Sequence, residues 1–481
     1  MAEGTSVIQD LTKAVGADYV LHTLEDLLVF EYDGSVDRAV PMAAVIPEST
    51  DQVAGCVNVA SRHGVPVVAR GAGTGLSGGA VAEQGAIVIA LTRMNRVLEV
   101  DADNLLAVVE PGVVNIDLTK YVSNLGLYYA PDPSSQRACT IGGNVAENSG
   151  GPHCLAYGVT TNHVLGMEVV LADGSVEWIG GKTREVAGHD LRGILVGSEG
   201  TLAIVTKIIV RLLRQPEAVK TLLAVFEDLD DASAAVSGII GAGIVPAAIE
   251  MMDDLCIQAA EAAVHAGYPD GAGAVLLVEV DGLTEAVEEE AEAVEEVCNR
   301  FNPMQIRTAT DEEERERLWS GRKGVLGALG RLAPNYYLVD GTVPRTRLVE
   351  VLSRIRQMSV DTGYPIANLL HAGDGNLHPS VLFDERKPGD TAAALDIGGK
   401  ILEFCVEVGG VLSGEHGIGL EKQQYMPLMF NDSDLDAMAL LKPSFATNDI
   451  LNPGKIFPSG ASCGEFSQMS AVSKAGLGAS V

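Results

Sequence analysis

At 481 residues, 47% hydrophobic and 20% charged, the chain exceeds one compact domain at roughly 150 residues each and has ample apolar mass for a core. With 33 Lys and Arg against 65 Asp and Glu, the formal net charge is −32. That balance excludes a nucleic-acid partner, and an anionic small molecule must be met by a few placed cations.

Cys56, Cys139, Cys154, Cys256, Cys298, Cys405 and Cys463 are dispersed without a Cys-x-x-Cys pair. The pattern reads as reduced cytosolic thiols and excludes a tightly clustered iron–sulfur ligand set in this chain. The opening MAEGTSVIQDLTKAV lacks the basic and apolar regions of a secretory signal. No apolar run approaches the ~18–20 residues that span a bilayer, so no transmembrane segment is expected. The expected location is cytoplasmic, with peripheral contact at the inner membrane left open.

In chain order, residues 1–37 form an N-terminal segment. From 38 to 216, short β-branched runs (AVIPEST, VPVVARGAG, AIVIALTRM, LLAVVEPGV, GMEVVLADGSV, TLAIVTKIIVRLL) alternate with Gly, Asn and Asp turns, and DQVAGCVNVASRHG reads as a helix. Pro216 marks a boundary. Beyond it, TLLAVFEDL, PAAIEMMD, AVLLVEVDG and IRTAT read as strands. DASAAVSGIIGAG and TEAVEEEAEAVEEVCNR read as helices, the latter with Thr284 as N-cap. Two β-α-β units in tandem predict a ferredoxin-like sheet over 217–457. The fold class is thus α+β in two domains, followed by a small-residue tail over 458–481.

Three stretches point to a ligand. Arg70–Gly79 (RGAGTGLSGG) follows the strand VPVVA and lets backbone N–H groups approach phosphate oxygens without Cβ interference. Gly73-x-Gly75-x-x-Gly78 matches the dinucleotide fingerprint, but the following AVAEQGAIVIALTRM reads as turn and strand. A Rossmann unit needs a helix there, so a plain glycine-rich hairpin stays open. Residues 131–158 are a long polar loop of the kind that wraps a ligand, and GSEGTLAIVT adds further points of close backbone approach.

In the second domain, HAGDGNLH sets His371 and His378 on either side of a Gly-Asp-Gly turn, and GEHG joins Glu415 to His416. On paired strands both imidazoles can enter one cavity. Two His and one carboxylate suit a divalent catalytic ion, zinc or manganese. Packing or surface roles for the His pair remain open at this point. Asp374 is an alternative ligand, although between two glycines it is placed to hold the turn through its own backbone.

In this order and spacing the three loops resemble the FAD-binding domain of the vanillyl-alcohol oxidase/p-cresol methylhydroxylase superfamily. LWSGRKG, PNYYLVDGTVPR, HAGDGNLHP, GGVLSGEHGIGLEK and LNPGKIFP extend the resemblance, within it, to the FAD-linked D-2-hydroxy-acid dehydrogenases, from about Arg38 to Pro458. The resemblance implies a two-subdomain FAD-binding domain and a substrate-binding cap domain. It implies that Arg70, Gly71, Ala72, Gly73, Thr74, Gly75, Leu76, Ser77, Gly78 and Gly79 form the pyrophosphate loop. Pro131, Asp132, Ser135, Thr140, Gly142, Gly143, Asn144, Asn148, Gly150, Gly151 and Gly158, with Glu199, Gly200 and Ile204, would line the isoalloxazine and ribityl chain. Asn452 would approach the flavin from the second domain. No residue clearly carries a covalent tether, so non-covalent FAD is expected.

The resemblance further puts His371, His378 and Glu415 on metal-ligand positions, His416 on the general base and Arg322 on the substrate carboxylate. Arg322 is adjacent to Lys323, and helix geometry, ~100° between neighbours, would let only one of them face the site. The implied reaction is oxidation of a small anionic 2-hydroxy acid, glycolate or D-lactate, to the 2-oxo acid by base-assisted hydride transfer. Relatives that oxidise D-2-hydroxyglutarate carry a Lys downstream of that Arg; none occurs here between Lys323 and Lys387. A D-2-hydroxyglutarate dehydrogenase, a non-catalytic flavin-binding companion subunit and a zinc hydrolase are the competing readings. Some members of this family work beside a second flavoprotein subunit and an iron–sulfur subunit, so the resemblance implies such subunits or another electron carrier as partners, which the absence of a Cys cluster here fits.

Overall fold

The computed structural model describes residues 2–82, 85–184, 187–445 and 448–458; the expected tail lies outside the described residues from residue 459 onward, as does Cys463. The short apolar runs of the N-terminal half build two sheets. β1 (Val20–Leu21), β2 (Ala43–Val45), β3 (Val67–Arg70) and β4 (Ile87–Ala90) stand in the order β1-β2-β4-β3, parallel from β2 to β3 with β1 antiparallel at the edge. The helix Thr50–His63 links β2 to β3. Ser49 caps it by accepting the Gln52 amide, Gly64 ends it at φ 63°, and Val53, Cys56, Val57 and Ala60 form its buried stripe.

Next come β5 (Val97–Asp101), β6 (Leu106–Val109), β7 (Leu127–Tyr128), β8 (Val164–Val170), β9 (Val176–Gly180), β10 (Ile204–Arg211) and β11 (Leu213–Arg214). Five of them make an antiparallel sheet in the order β5-β6-β10-β8-β9, while β7 pairs with β11. The Arg70–Gly79 loop leaves the end of β3, and the polar 131–158 loop leaves β7. Both therefore emerge from rigid sheet ends.

After Pro216 the chain forms β12 (Ala218–Phe226), β13 (Ala248–Asp253), β14 (Ala274–Gly282) and β15 (Gln305–Thr308). Their order β15-β12-β14-β13, antiparallel throughout, with helices Leu229–Gly241 and Thr284–Cys298 in the crossovers, is ferredoxin-like. β16 (Asn335–Leu338), β17 (Gly341–Thr342), β18 (Ile366–His371) and β19 (Asn376–Phe383) continue the sheet beyond β13 as β18-β19-β16, with β17 beside β19. In β12, Leu222, Ala224 and Phe226 enter one core with Val236 and Val294, whereas Leu223 and Val225 enter another with Leu318 and Trp319. Cover on both faces explains why TLLAVF is continuously apolar instead of alternating. One expectation is corrected: Thr284 is the first helical residue, and Leu283 holds the N-cap without a side-chain bond.

The two halves meet at a buried polar cluster. Glu279, inside the apolar run of β14, accepts from Trp319 Nε1 (2.6 Å), Thr221 Oγ1 (2.6 Å) and the Arg315 guanidinium (3.0 Å). His153 bridges Asp132 (2.9 Å) and Glu279 (3.2 Å) and stacks on Trp319 at 5.6 Å. Burial alone would push the imidazole down, but the Asp132 and Glu279 carboxylates raise it to about 10. The folded value lies above that of a free histidine, about 6.5. Its stabilisation is therefore complete below about pH 6.5 and fades as pH climbs toward 10. We expect the thermal midpoint of the wild type to fall between pH 7 and pH 10 by more than that of His153→Gln. Equal slopes would show that His153 does not carry the linkage.

Candidate active site

The β18–β19 hairpin explains why two histidines separated by a Gly-Asp-Gly turn come together. Leu369 pairs with His378 and His371 with Asn376, and residues directly opposite on antiparallel strands project to the same face. Asp374 accepts the Asn376 amide (3.0 Å) and closes the turn. Glu415 arrives from the loop after the helix Asp390–Glu407. Its Oε1 lies 3.2 Å from His371 Nε2 and 3.0 Å from His378 Nε2, so the three sequence-predicted residues converge. Their donor atoms all lie within 4.8 Å of one another, a set that fits one divalent ion. Glu415 Oε2 is buried and without a hydrogen-bond partner. Against the penalty of burial, the His371 and His378 imidazoles hold the Glu415 carboxyl well below its ordinary range.

His416 stacks on His378 with centroids 4.9 Å apart and rings 13° from parallel. Burial pushes its imidazole down to about 4 against the opposing pull of Asp340, so the ring is neutral at pH 7. Its Nδ1 has no hydrogen-bond partner. The loop that presents Glu415 and His416 is held by Asp340. This carboxylate accepts from Ser413 Oγ (2.6 Å) and the amides of Gly414 and His416 (3.0 Å each), with the Lys422 ammonium at 3.0 Å. Asp340, His378 and His416 also satisfy the spacing of a metal triple. The Asp340 oxygens are already committed to these donors, which favours His371, His378 and Glu415.

Arg322, on the helix Glu312–Ala328, is fully buried and ion-paired with Glu250 of β13. Glu250 also bonds His371 Nδ1 (2.8 Å), and Arg322 Nη2 lies 3.4 Å from the same nitrogen. A carboxylate on the far nitrogen fixes ring orientation and leaves Nε2 for a metal. The expectation that one of Arg322 and Lys323 faces the site is corrected: both border it. The long Lys323 stem runs along Trp319 and reaches Asp132 (3.4 Å).

These groups stand on one wall of a cavity of about 360 Å³. Arg70, Gly71, Ala72, Gly73, Thr74, Gly75, Leu76, Gly79, Ser135, Thr140, Gly142, Gly143, Asn144, Glu199, Gly200 and Ile204 line it, together with Arg322, His378, Glu415 and His416. Ser77, Gly78, Pro131, Asp132, Asn148, Gly150, Gly151, Gly158 and Asn452 stand behind or beside that lining. Ser77 O receives the Leu420 and Glu421 amides, and Gly78 O receives Lys455 Nζ (2.7 Å). Pro131 O receives Asn115 Nδ2 (3.0 Å), Asn148 ends the helix Ile141–Glu147 at φ 53°, and Gly158 ends the short helix Cys154–Tyr157 at φ 81°. A Cβ on Gly151 would strike the Asp132 backbone, and one on Gly150 would stand 2.9 Å from Glu415 Oε2. Asn452 ties two glycine loops together by donating to Gly79 O (2.9 Å) and Glu199 O (2.7 Å).

The cavity suits a phosphate-bearing cofactor. Among the described residues, none of the main-chain amides from Gly71 to Gly79 donates to another protein group, so the loop keeps its amides free for anionic oxygens. Arg70 is buried with Nη1 unpartnered and passes beneath Gly73, where a Cβ would overlap the guanidinium. Glu199 adopts a left-handed φ of 52°, rare for a non-glycine residue. In this position its carboxylate receives the Ile418 and Gly419 amides (2.7 and 2.8 Å), linking the Gly197–Val205 stretch to the loop that bears Glu415.

Sequence reasoning missed Glu250, Asp340, Lys422 and Glu147. The last borders the cavity, where burial, Glu199 and Asp33 push its carboxyl well above the ordinary range. Glu250 did leave a signal, a carboxylate flanked by Ile249 and Met251 in the middle of the apolar strand PAAIEMMD.

Fold and site define an FAD-linked oxidoreductase, and the chain belongs to the FAD-linked oxidase family. Residues 41–180 match the FAD binding domain model, and residues 215–456 match that of the FAD linked oxidases, C-terminal domain. Glycolate oxidase subunit GlcD of Escherichia coli (strain K12) is 45% identical over 466 residues, 97% of this chain and 93% of its own. GlcD of Bacillus subtilis (strain 168) is 42% identical over 432 residues, 89% and 92% of the two chains. D-lactate dehydrogenase of Archaeoglobus fulgidus is 32% identical over 434 residues, 89% and 95%. Substrate-bound p-cresol methylhydroxylase shares the fold at TM-score 0.81 and 20% identity, over 95% of this chain and 97% of that one. Among the described residues, no helix is long and apolar enough to cross a membrane.

Proposed function

We propose that this protein oxidises a small 2-hydroxy acid, glycolate or D-lactate, to the 2-oxo acid, using non-covalent FAD and a divalent ion held by His371, His378 and Glu415. One observation carries the reading: Arg322, Glu415 and His416 meet on the wall of a cavity whose other walls are the glycine loops of an FAD-binding domain. When bound, FAD supplies a hydride acceptor and the ion a Lewis acid for the substrate oxygens. Arg322, with Glu250 on one side of its guanidinium, offers its remaining N–H groups to the substrate carboxylate. His416, neutral and with Nδ1 unpartnered, accepts the proton of the C2 hydroxyl. Asp340 and Lys422 hold the 413–417 loop so that this nitrogen keeps its place. Leu326, Leu338 and Leu369 add apolar side chains to the lining of the same cavity.

Within this reading, residues 38–216 bind FAD and residues 217–457 bind substrate and metal. The relatives named as subunits support a companion-dependent route for the electrons, and we infer a cytoplasmic enzyme that hands them to a partner. The test is an anaerobic absorbance titration with glycolate, D-lactate, L-lactate and D-2-hydroxyglutarate, with and without chelator. Bleaching of the flavin band by glycolate or D-lactate, abolished by chelator, is the expected result. A yellow protein that none of them bleaches would overturn the reading.

A further inference from the structure

The Arg70–Gly79 loop is contacted from outside by Phe30 and Gly34, at one end of the segment Leu24–Val36. Within it Leu24, Leu28, Val29, Tyr32 and Val36 are each 41–61% exposed. Leu24 and Leu28 sit one turn apart on the consecutive helical turns Leu24–Leu27 and Leu28–Phe30, so their side chains are neighbours. Single exposed apolar residues are ordinary, but so many in one short segment form a patch of the kind that binds another protein.

The patch adjoins the cavity. Gly34 N donates to Gly75 O (2.7 Å), Ala80 N to Asp33 (3.4 Å), and the Phe30 ring lies 5.8 Å from the Arg70 guanidinium. Leu76 and Leu338 belong both to the cavity wall and to a small side pocket closed by Gly34, Ser35 and Val36. One layer of side chains therefore separates the Gly34–Val36 end of the patch from the cavity.

The patch also has a charged rim. Glu25, Asp26, Glu31 and Asp37 are exposed or half-buried there, and the basic side chains nearest in the sequence are His22 and Arg38, the latter 3.8 Å from Glu31. Two copies of this chain meeting at the patch would oppose two acidic rims. A partner with an apolar centre and a basic rim meets complementary charge instead.

We propose that Leu24–Val36 is the docking surface for a one-electron carrier protein with a basic rim. The inference rests on the FAD-dependent oxidation proposed above. Each hydroxy acid oxidised would release two electrons, with bound FAD as the relay, and two carrier molecules would each take one. The hydroxy acid and two oxidised carriers thus become the 2-oxo acid, two reduced carriers and two protons. The apolar centre supplies affinity, and the acidic rim speeds encounter at low salt.

The test uses the full chain loaded with FAD and two acceptors, the small dye dichlorophenolindophenol and cytochrome c as a basic haem carrier. The variants are Leu28→Ser/Val29→Ser and Glu25→Lys/Asp26→Lys. Dye-coupled turnover should match the wild type in both, while kcat/KM for cytochrome c should fall about tenfold in each. The charge variant should also lose most of the wild type's salt dependence. The proposal is overturned if the wild type reduces the dye but not cytochrome c, or if the variants reduce cytochrome c as fast as the wild type. A wild-type dimer that Leu28→Ser/Val29→Ser dissociates would overturn it in favour of self-association. No dye reduction with any hydroxy acid would instead remove the oxidation reading on which it rests.

Discussion

Glu250→Ala is expected to destabilise the protein by about 3–5 kcal/mol, because it leaves the Arg322 guanidinium buried without its counter-charge. The same substitution frees His371 Nδ1, which Glu250 now holds at 2.8 Å. Burial alone would push the His371 imidazole down; Glu250, and Glu415 after it, raise it well above the ordinary histidine range. Without Glu250 the ring loses both its fixed orientation and part of its basicity, so metal affinity should fall about 10–100-fold. Glu250→Gln separates the two effects. It keeps the shape and one acceptor, so it should unfold closer to the wild type in denaturant while still binding metal more weakly, read by metal analysis after dialysis against graded chelator. If Glu250→Gln kept full metal affinity, the Glu250–His371 bond would have only a packing role.

Glu250 also shows where the sequence stops being legible. The strands and helices are set by short-range periodicity, so the runs of β12 and β14 and the ferredoxin-like order they imply can be read directly. The His371 and His378 hairpin is legible for the same reason, because a Gly-Asp-Gly turn between apolar flanks is a local signal. Glu250 meets Arg322 and His371 across a sheet, and nothing in local spacing says which of many carboxylates a buried Arg will find. Its one trace is a carboxylate in an apolar strand, and Glu279 on β14 leaves the same trace for His153, Arg315 and Trp319. Asp340 is harder still. It precedes the short strand β17, and the loop whose amides it accepts lies far along the chain. Glu199 lies in a glycine-flanked stretch that signals close backbone approach, yet its carboxylate reaches across to Ile418 and Gly419. Periodicity reports which face is buried, whereas isolated polar pairings depend on how whole sheets are brought together.

His416→Ala is expected to lower turnover about 10²–10⁴-fold while leaving the flavin spectrum and the fold in place. The imidazole stacks on His378 without supplying one of the three donors of the His371–His378–Glu415 set, so the metal content should stay near that of the wild type. The Asp340 carboxylate would keep its bonds to Ser413, Gly414 and Lys422, so the loop that carries Glu415 should hold its shape. What disappears is a neutral nitrogen with no other partner beside the cavity that Arg322 and Glu415 border. Single-turnover flavin bleaching by glycolate or D-lactate reads that loss directly, since it excludes any later acceptor step. His416→Asn retains a polar group without basicity and should be as slow as His416→Ala. Bleaching by His416→Ala at the wild-type rate would assign the proton to another group, and Glu147, whose raised carboxyl also borders the cavity, would be the next residue to replace.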